Sequence, residues 1–365
     1  MRLRVVQANL NHARRAQDLF MQRLLERGGA VGVVAEPYRV PPGDPVWLRN
    51  DGGTVAVTWP RGAAVSFGMG GQGASYVWAR GGEVDIVAVY LPPSWPLRRV
   101  QQQLDELGAR IRASLGRPTL VAGDFNAKAA SWGSPHTDVR GEVVEHWAAE
   151  LGLVLLNVGG VPTCVAWRGE SIVDLTWASP SARPWVRDWR VVDDVETLSD
   201  HRYIEMEIAV GRGRAPGGWR DRRRDAPGPF KRWAVGRLDC DRLRGFLEAG
   251  TWSGAGGPPP GADRAECGAR ALSGLLARAC DFAMPRVGRQ VRRSVYWWSD
   301  ELAGLRRAAV TARRGWTRAR RRRGSSPSPG LLATVEEAWD GYRAARRLLG
   351  RAIAAAKNRA WEELL

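Results

Sequence analysis

The sequence predicts an α/β (α+β) domain over residues 1–210, joined to a basic, helix-rich C-terminal part. Short apolar or alternating runs ending at Gly, Pro or Asp take turns with helix-forming segments through the first 210 residues. That pattern stops at Gly211, where the composition shifts to Gly, Arg, Pro and Asp. The charge is equally uneven. Of a formal net +17 over 365 residues, residues 1–210 hold 22 Lys and Arg against 23 Asp and Glu, whereas residues 211–365 hold 33 against 15. A neutral globular unit beside an anion-binding one is the simplest organisation, with nucleic acid as the anion.

Residues 5–9, 31–36, 54–59, 76–80, 84–90, 119–123, 172–178 and 203–210 read as strands, and residues 14–27, 97–115 and 142–151 as helices. Residues 211–230 form a basic Gly/Pro/Arg linker with too little apolar material to order itself. Residues 231–298 are a mixed helical segment with a flexible loop at 254–261. Ser299, Asp300 and Glu301 start a helix that runs to the Arg320–Arg323 block. A break follows at residues 324–330, then a second helix, so that residues 299–365 predict an Arg-rich helical hairpin.

With 44% hydrophobic residues and 18 Trp, a wholly disordered basic chain is excluded. Arg outnumbers Lys by 52 to 3, which coding bias explains; the asymmetry between the halves it does not. Cys164, Cys240, Cys267 and Cys280 form no C-x-x-C pair and have no histidine at zinc-ligand spacing, so no disulfide framework or zinc site is expected. There is no signal-peptide core and no membrane-length apolar run, and an intracellular protein without a membrane partner is expected. Gly68, Gly70 and Gly73 match G-x-G-x-x-G, but the strand-like Tyr76-Val77-Trp78 follows where a dinucleotide fingerprint needs a helix, so a hairpin connection is expected.

The residues able to do chemistry sit at strand ends, where a sheet projects them into one cleft. Leu120-Val121-Ala122-Gly123-Asp124-Phe125-Asn126 is an apolar strand ending in a carboxylate and an amide on the same side. One group suits accepting a proton from an attacking water and the other suits directing that water. By itself the tetrapeptide reads more readily as a turn with two Asx residues. In Ser199-Asp200-His201, the histidine opens a half-buried strand and the aspartate is within reach of a divalent cation; alone this too reads as a turn. Asp174 lies on the face opposite Val173, Leu175 and Trp177, free to orient a histidine, or simply facing outward. Asn9, Glu36 and Tyr90 end three further apolar runs, Glu36 offering a hard oxygen ligand suited to Mg²⁺.

Taken together and in order, Asn9, Glu36, Tyr90, Gly123-Asp124-x-Asn126, Asp174 and Ser199-Asp200-His201 resemble the endonuclease/exonuclease/phosphatase superfamily. More narrowly, Gly123–Lys128, Trp132-Gly133, Asp138-x-Arg140-Gly141 and Pro162-Thr163 resemble the apurinic-type endonuclease domain of non-LTR retrotransposons. The segment from Trp297-Trp298-Ser299-Asp300 through the Arg-rich helix to Ala354–Leu365 resembles the connection between such a domain and a downstream reverse transcriptase.

The resemblance implies a four-layer sandwich of two facing β-sheets flanked by helices, with a cleft along one edge. It implies Glu36 as the principal Mg²⁺ ligand (Mn²⁺ as a substitute), with Asn9 and Asp200 nearby, and Asp124 activating water that Asn126 orients. Tyr90 would stabilise the transition state, and His201, held by Asp174, would contact the scissile phosphate. The implied reaction is a nick in double-stranded target DNA that leaves a 3′-hydroxyl to prime reverse transcription in the nucleus. Element RNA and a reverse transcriptase domain downstream in a parent polyprotein are the further partners. Asn11 stands where abasic-site endonucleases often carry a second acid, which removes one negative charge from the metal site. His12, His136 and His146 read as structural or surface residues.

Two other readings compete: an abasic-site repair endonuclease or other phosphoesterase of the superfamily, and a catalytically inactive nucleic-acid-binding remnant. In the basic half, Arg313, Arg314, Arg320, Arg321, Arg322 and Arg323 with Trp316 are expected to bind nucleic acid by charge and stacking. On this division residues 1–210 are expected to nick DNA alone.

Overall fold

A computed structural model describes residues 2–59, 67–114, 116–167, 169–209, 232–233, 237–252, 264–284, 286–287, 294–322 and 328–363. The chain forms two compact units, one of residues 1–213 with 292–365 and one of residues 214–291.

The larger unit begins with β1 (Arg2–Asn9), α1 (Arg14–Glu26), β2 (Val31–Ala35), β3 (Trp47–Arg49), β4 (Val55–Thr58), β5 (Phe67–Gln72), β6 (Tyr76–Gly81) and β7 (Val84–Tyr90). It continues through α2 (Leu97–Arg112), β8 (Thr119–Asp124), α3 (Val139–Glu150), β9 (Val154–Leu155), β10 (Cys164–Ala166), β11 (Gly169–Ser171), β12 (Asp174–Ala178), β13 (Val186–Val192) and β14 (Tyr203–Ala209). The strands assemble into two six-stranded sheets, β13-β14-β1-β2-β4-β3 and β5-β6-β7-β8-β12-β9, while β10 and β11 pair separately. In each large sheet one pair is parallel, β1 with β2 and β7 with β8, because α1 and α2 supply the crossovers that a hairpin cannot.

Alternation decides what each strand buries. Val5, Val33, Val57, Ile86, Leu120 and Ile204 meet between the two sheets. The opposite sides of β7, β8 and β12 present Val87, Val89, Val121 and Leu175 to α2 and α3 through Leu104, Leu107, Val144 and Trp147. β7 is covered on both sides, so its run reads Val-Asp-Ile-Val-Ala-Val-Tyr. Its one interior charge, Asp85, meets Arg80 at 2.9 Å and Arg117 at 3.2 Å, and these guanidinium groups overcome the cost of burial to hold its carboxyl below the usual range.

The four-layer sandwich expected from the sequence is thus present, but its outer layer on the β1 side is not made by α1 alone. Residues of the two C-terminal helices join it. The smaller unit, taken by itself, pairs strands β15 (Arg232–Trp233) and β16 (Arg286–Val287) and packs α4 (Cys240–Trp252) with α5 (Arg264–Ala283), Phe246 meeting Phe282. The chain then returns to the larger unit as α6 (Asp300–Arg322) and α7 (Pro329–Glu362), capped by Ser299 and Ser328. The predicted linker at 211–230 and loop at 254–261 lie outside the described residues.

The helical region 299–365 is therefore not a separate module: it joins the unit of residues 1–213, whose own end after residue 213 lies close to the boundary read at residue 210. Trp297, Leu302, Ala309, Leu349, Ile353 and Ala356 close over Val6, Ala8, Leu19, Phe20 and Leu24. Two arginines of this region, Arg306 and Arg313, are inside, the second of them among those expected to bind nucleic acid. Arg306 donates to Glu26 and to the Glu196 carbonyl at 3.0 and 3.1 Å, and Arg313 donates to the carbonyls of Asp193 and Val195 at 2.7 and 3.1 Å. Partners of this kind are what make a buried guanidinium tolerable.

Strand β13 escaped the sequence reading for a physical reason. It is an edge strand, interrupted by a bulge between Arg187 and Arg190 with Asp188 at φ +54°, and its polar residues are exposed or half-buried, so it has no continuous apolar run. Of the three glycines expected in a hairpin connection, Gly73 lies in the turn between the antiparallel strands β5 and β6, whereas Gly68 and Gly70 lie within β5.

Candidate active site

The cleft residues converge at the ends of the central strands of both sheets. Antiparallel register sets Asp174 of β12 opposite Asp124 of β8, and parallel register sets Tyr90 of β7 beside Asp124. Close approach of the strands requires a glycine before the aspartate, since a Cβ on Gly123 would stand 1.9 Å from the Val89 carbonyl oxygen. Beneath the site, Gln7 of the facing sheet donates to the carbonyls of Gly123 and Leu175 at 3.1 and 3.2 Å, joining the two layers.

Asp124 is buried, and all its hydrogen bonds come from named neighbours. Asn9 Nδ2 donates at 2.9 Å, the Asn126 backbone at 2.9 Å and Asn126 Nδ2 at 3.1 Å. Burial, followed by the charge of nearby Asp174, pushes its carboxyl well above the ordinary carboxylate range. Asn126, held at φ +46°, also donates to the Leu91 carbonyl, so its amide is fixed relative to both β7 and β8.

His201 Nδ1 lies 2.7 Å from Asp174 Oδ2, leaving Nε2 toward Asp200 at 4.0 Å. Burial opposes a charge on the ring, but the Asp174 carboxylate and its hydrogen bond outweigh that, and the imidazole is raised well above its ordinary value. The imidazolium is thus available to an anion. Asp200 completes the link back to β1, since Asn11 Nδ2 donates to its Oδ1 at 3.3 Å and the Asn11 backbone donates to Asn9 Oδ1 at 2.8 Å.

On the other side of the cleft, Tyr90 donates its phenol proton to Glu36 Oε1 at 2.6 Å. Burial first, then the Glu36 carboxylate, raises the phenol, so Tyr90 stays a donor. Glu36 sits at φ +47°, its side chain 19% exposed. Among the described residues, acid, thiol and imidazole groups cluster within 4.8 Å as Asp124, Asp174 and His201, and as Cys164, Asp200 and His201; Glu36 belongs to neither cluster. The donors around the cleft, Glu36, Asp200, Asp124 and the Asn9 amide oxygen, are hard oxygens. This set fits a Mg²⁺-type cation and not a thiolate-seeking metal.

Sequence reading missed several contributors. His12, read as a structural or surface residue, is exposed, and its Nε2 lies 3.4 Å from Glu36 Oε1. Asn157 donates to the Asp174 carbonyl at 3.0 Å and accepts from the Thr176 backbone. Arg140 donates to the carbonyls of Leu91 and Pro92, which explains the Asp138-x-Arg140-Gly141 motif as a brace for the loop after β7. Thr163 does similar work for β12, its Oγ1 accepting from the Val173 and Asp174 backbones, both at 3.1 Å. Thr163→Val should destabilise the protein by about 2 kcal/mol, because two buried N–H groups lose their acceptor. Urea unfolding measures it, and an unchanged midpoint would refute the assignment.

The basic residues divide differently from the expectation. Arg314, Arg321 and Arg322 are exposed, and Arg323 lies outside the described residues. Arg313 is 5% exposed and Trp316 fully buried, stacked among Trp167, Trp339 and Tyr342, so neither presents a surface to nucleic acid. Arg320 is tied to the Ala166 carbonyl and Glu170.

Residues 84–205 match the family described as endonuclease-reverse transcriptase, of the endonuclease/exonuclease/phosphatase type. That segment contains Tyr90, Asp124, Asn126, Asp174, Asp200 and His201. Among solved structures, the endonuclease domain of TRAS1, a telomere-specific non-LTR retrotransposon, is similar at 27% identity over 57% of this chain and 100% of that one, with a TM-score of 0.48. The 3′ phosphatase NExo from Neisseria, bound to a product DNA hairpin, is 18% identical over 56% and 99% (TM-score 0.44). An AP endonuclease from Archaeoglobus fulgidus is 15% identical over 57% and 100% (TM-score 0.44). No curated protein matches the sequence.

Proposed function

We propose that the protein is a Mg²⁺-dependent endonuclease that nicks double-stranded DNA and leaves a 3′-hydroxyl. The observation that carries this reading is the pairing of a buried carboxylate of raised proton affinity, Asp124, with an imidazolium held by Asp174 at 2.7 Å in the same cleft. Asp124 takes a proton from a water that the Asn126 amide directs. His201 Nε2 faces the phosphate and offsets the negative charge that gathers on its oxygens. Asn9 and Asn126 keep Asp124 aimed by donating to it. Glu36, with Asp200 and Asn9, would hold the cation, which when bound supplies positive charge against the scissile phosphate. Tyr90 keeps Glu36 in place through its 2.6 Å hydrogen bond.

The matched family's description, endonuclease-reverse transcriptase, supports a place beside a reverse transcriptase; a nick that primes DNA synthesis, element RNA as a second partner and the nucleus as the compartment are part of the same proposal. The full-length protein should relax supercoiled plasmid in Mg²⁺ or Mn²⁺ and stop when EDTA is added. The nick should be extended by a DNA polymerase with no phosphatase pretreatment. Nicking that persists in EDTA, or ends that need a 3′-phosphatase first, would overturn the reading.

A further inference from the structure

A groove of about 670 Å³ lies where the start of α1 meets α7. Five cations line it, Arg14, Arg15, Arg346, Arg347 and Lys357, against a single acid, Asp18. Lys357 already neutralises that acid, Nζ to Oδ1 at 2.6 Å, and Arg346 faces Glu196 at 3.7 Å. Arg14, Arg15 and Arg347 are exposed and have no acidic partner among the described residues.

Between these cations the groove presents small or apolar positions, including Ala13, Leu198, Gly350 and Ala354. Gly350 lets the Arg15 side chain lie close against α7, since a Cβ there would stand 2.9 Å from it. Apolar positions flanked by guanidinium groups match the alternation of sugar and phosphate along a nucleic-acid strand. The groove also adjoins the cleft along the chain. Ala13 follows His12, which faces Glu36, and Leu198 stands two residues before Asp200.

We propose that this groove binds the backbone phosphates of the DNA duplex beyond the point of cleavage, so that α7 supplies a binding surface that residues 1–213 lack. The proposal rests on the endonuclease reading in identifying DNA as the occupant. Charge attracts the duplex there without selecting its sequence, because every cation meets phosphate and not a base edge.

The test uses the full-length chain carrying Asp124→Ala, so that binding is read without cleavage. Affinity for a fluorescent 30-base-pair duplex is measured by anisotropy across a salt series. Adding Arg14→Glu and Arg347→Glu should weaken binding by about tenfold or more and reduce the slope of log affinity against log salt by about two, one for each lost phosphate contact. Arg112→Glu, the same kind of charge reversal made once on α2 at the opposite outer layer, should leave the slope where it was. Thermal melts should show all these proteins folded.

An unchanged affinity and slope in the double variant overturns the groove, as does an equal loss in the Arg112 variant. Single-stranded RNA that outcompetes the duplex, with the difference abolished by the double variant, overturns DNA as the occupant. If the parent chain binds but never nicks plasmid, the endonuclease reading falls, and the salt slopes still decide the groove.

Discussion

Asp124→Ala should abolish plasmid nicking, with a fall of roughly a thousandfold, the middle of the range for losing a positioned proton acceptor. The carboxylate is sequestered among Asn9, Asn126 and Asp174, so no water can simply take its place with the same proton affinity. The same burial gives a signature that separates chemistry from architecture. A carboxyl pushed above its ordinary range is held in the folded state against its preference for ionisation at neutral pH. Removing it should therefore leave the melting temperature within a few degrees of the parent, despite the loss of activity. A variant that nicks at the parental rate would refute Asp124 as the proton acceptor. A collapse in melting temperature would make its role structural.

Truncation after Gly213 should cost the fold. Without α6 and α7, the apolar face formed by Val6, Ala8, Leu19, Phe20 and Leu24 loses the helices packed on it. Glu196, fully buried, would lose Tyr342 (3.0 Å), Arg313 (3.6 Å) and Arg346 (3.7 Å) together. Breaking a buried ion network by removing its cations typically costs about 3–5 kcal/mol, a large share of the roughly 5–15 kcal/mol that stabilises a domain. The damage falls near the chemistry. Glu196 Oε1 accepts from the Leu198 backbone at 2.9 Å and holds that residue at φ +56°, and Thr197 donates to the His201 carbonyl at 2.8 Å. The truncated chain should express in aggregates or as a species without nicking activity. Within the full chain, Tyr342→Phe should reduce nicking more than it reduces stability. A soluble residue 1–213 protein with parental melting temperature and rate would show that the helices are dispensable, as the charge distribution alone suggests.

The contrast between the two halves shows what kind of information a sequence carries. Strands such as β7 and β8 were legible because burial on both faces leaves an apolar run with a terminal polar residue, and Tyr90 and Asp124 are those residues. The dyad of Asp174 and His201 was legible only through resemblance to a family, since each alone is an ordinary polar residue beside a strand. Thr163, Asn157 and Arg140 were illegible as site supports. They act through backbone carbonyls and N–H groups, which carry no residue-specific signal at the partner position. The contact of His12 with Glu36 joins two loops that approach each other only after β1 and β2 have paired.

By itself, the sequence determined the alternating strands, their helices and the inventory of polar groups at strand ends, because these follow from periodicity and local propensity. Tertiary structure alone decided which arginines are surface and which are scaffold. Arg306 and Arg313 look like solvent charges until Glu26, Glu196 and the carbonyls of residues 193 and 195 surround them. Charge is written in composition, but whether it faces water depends on partners brought together from distant parts of the chain.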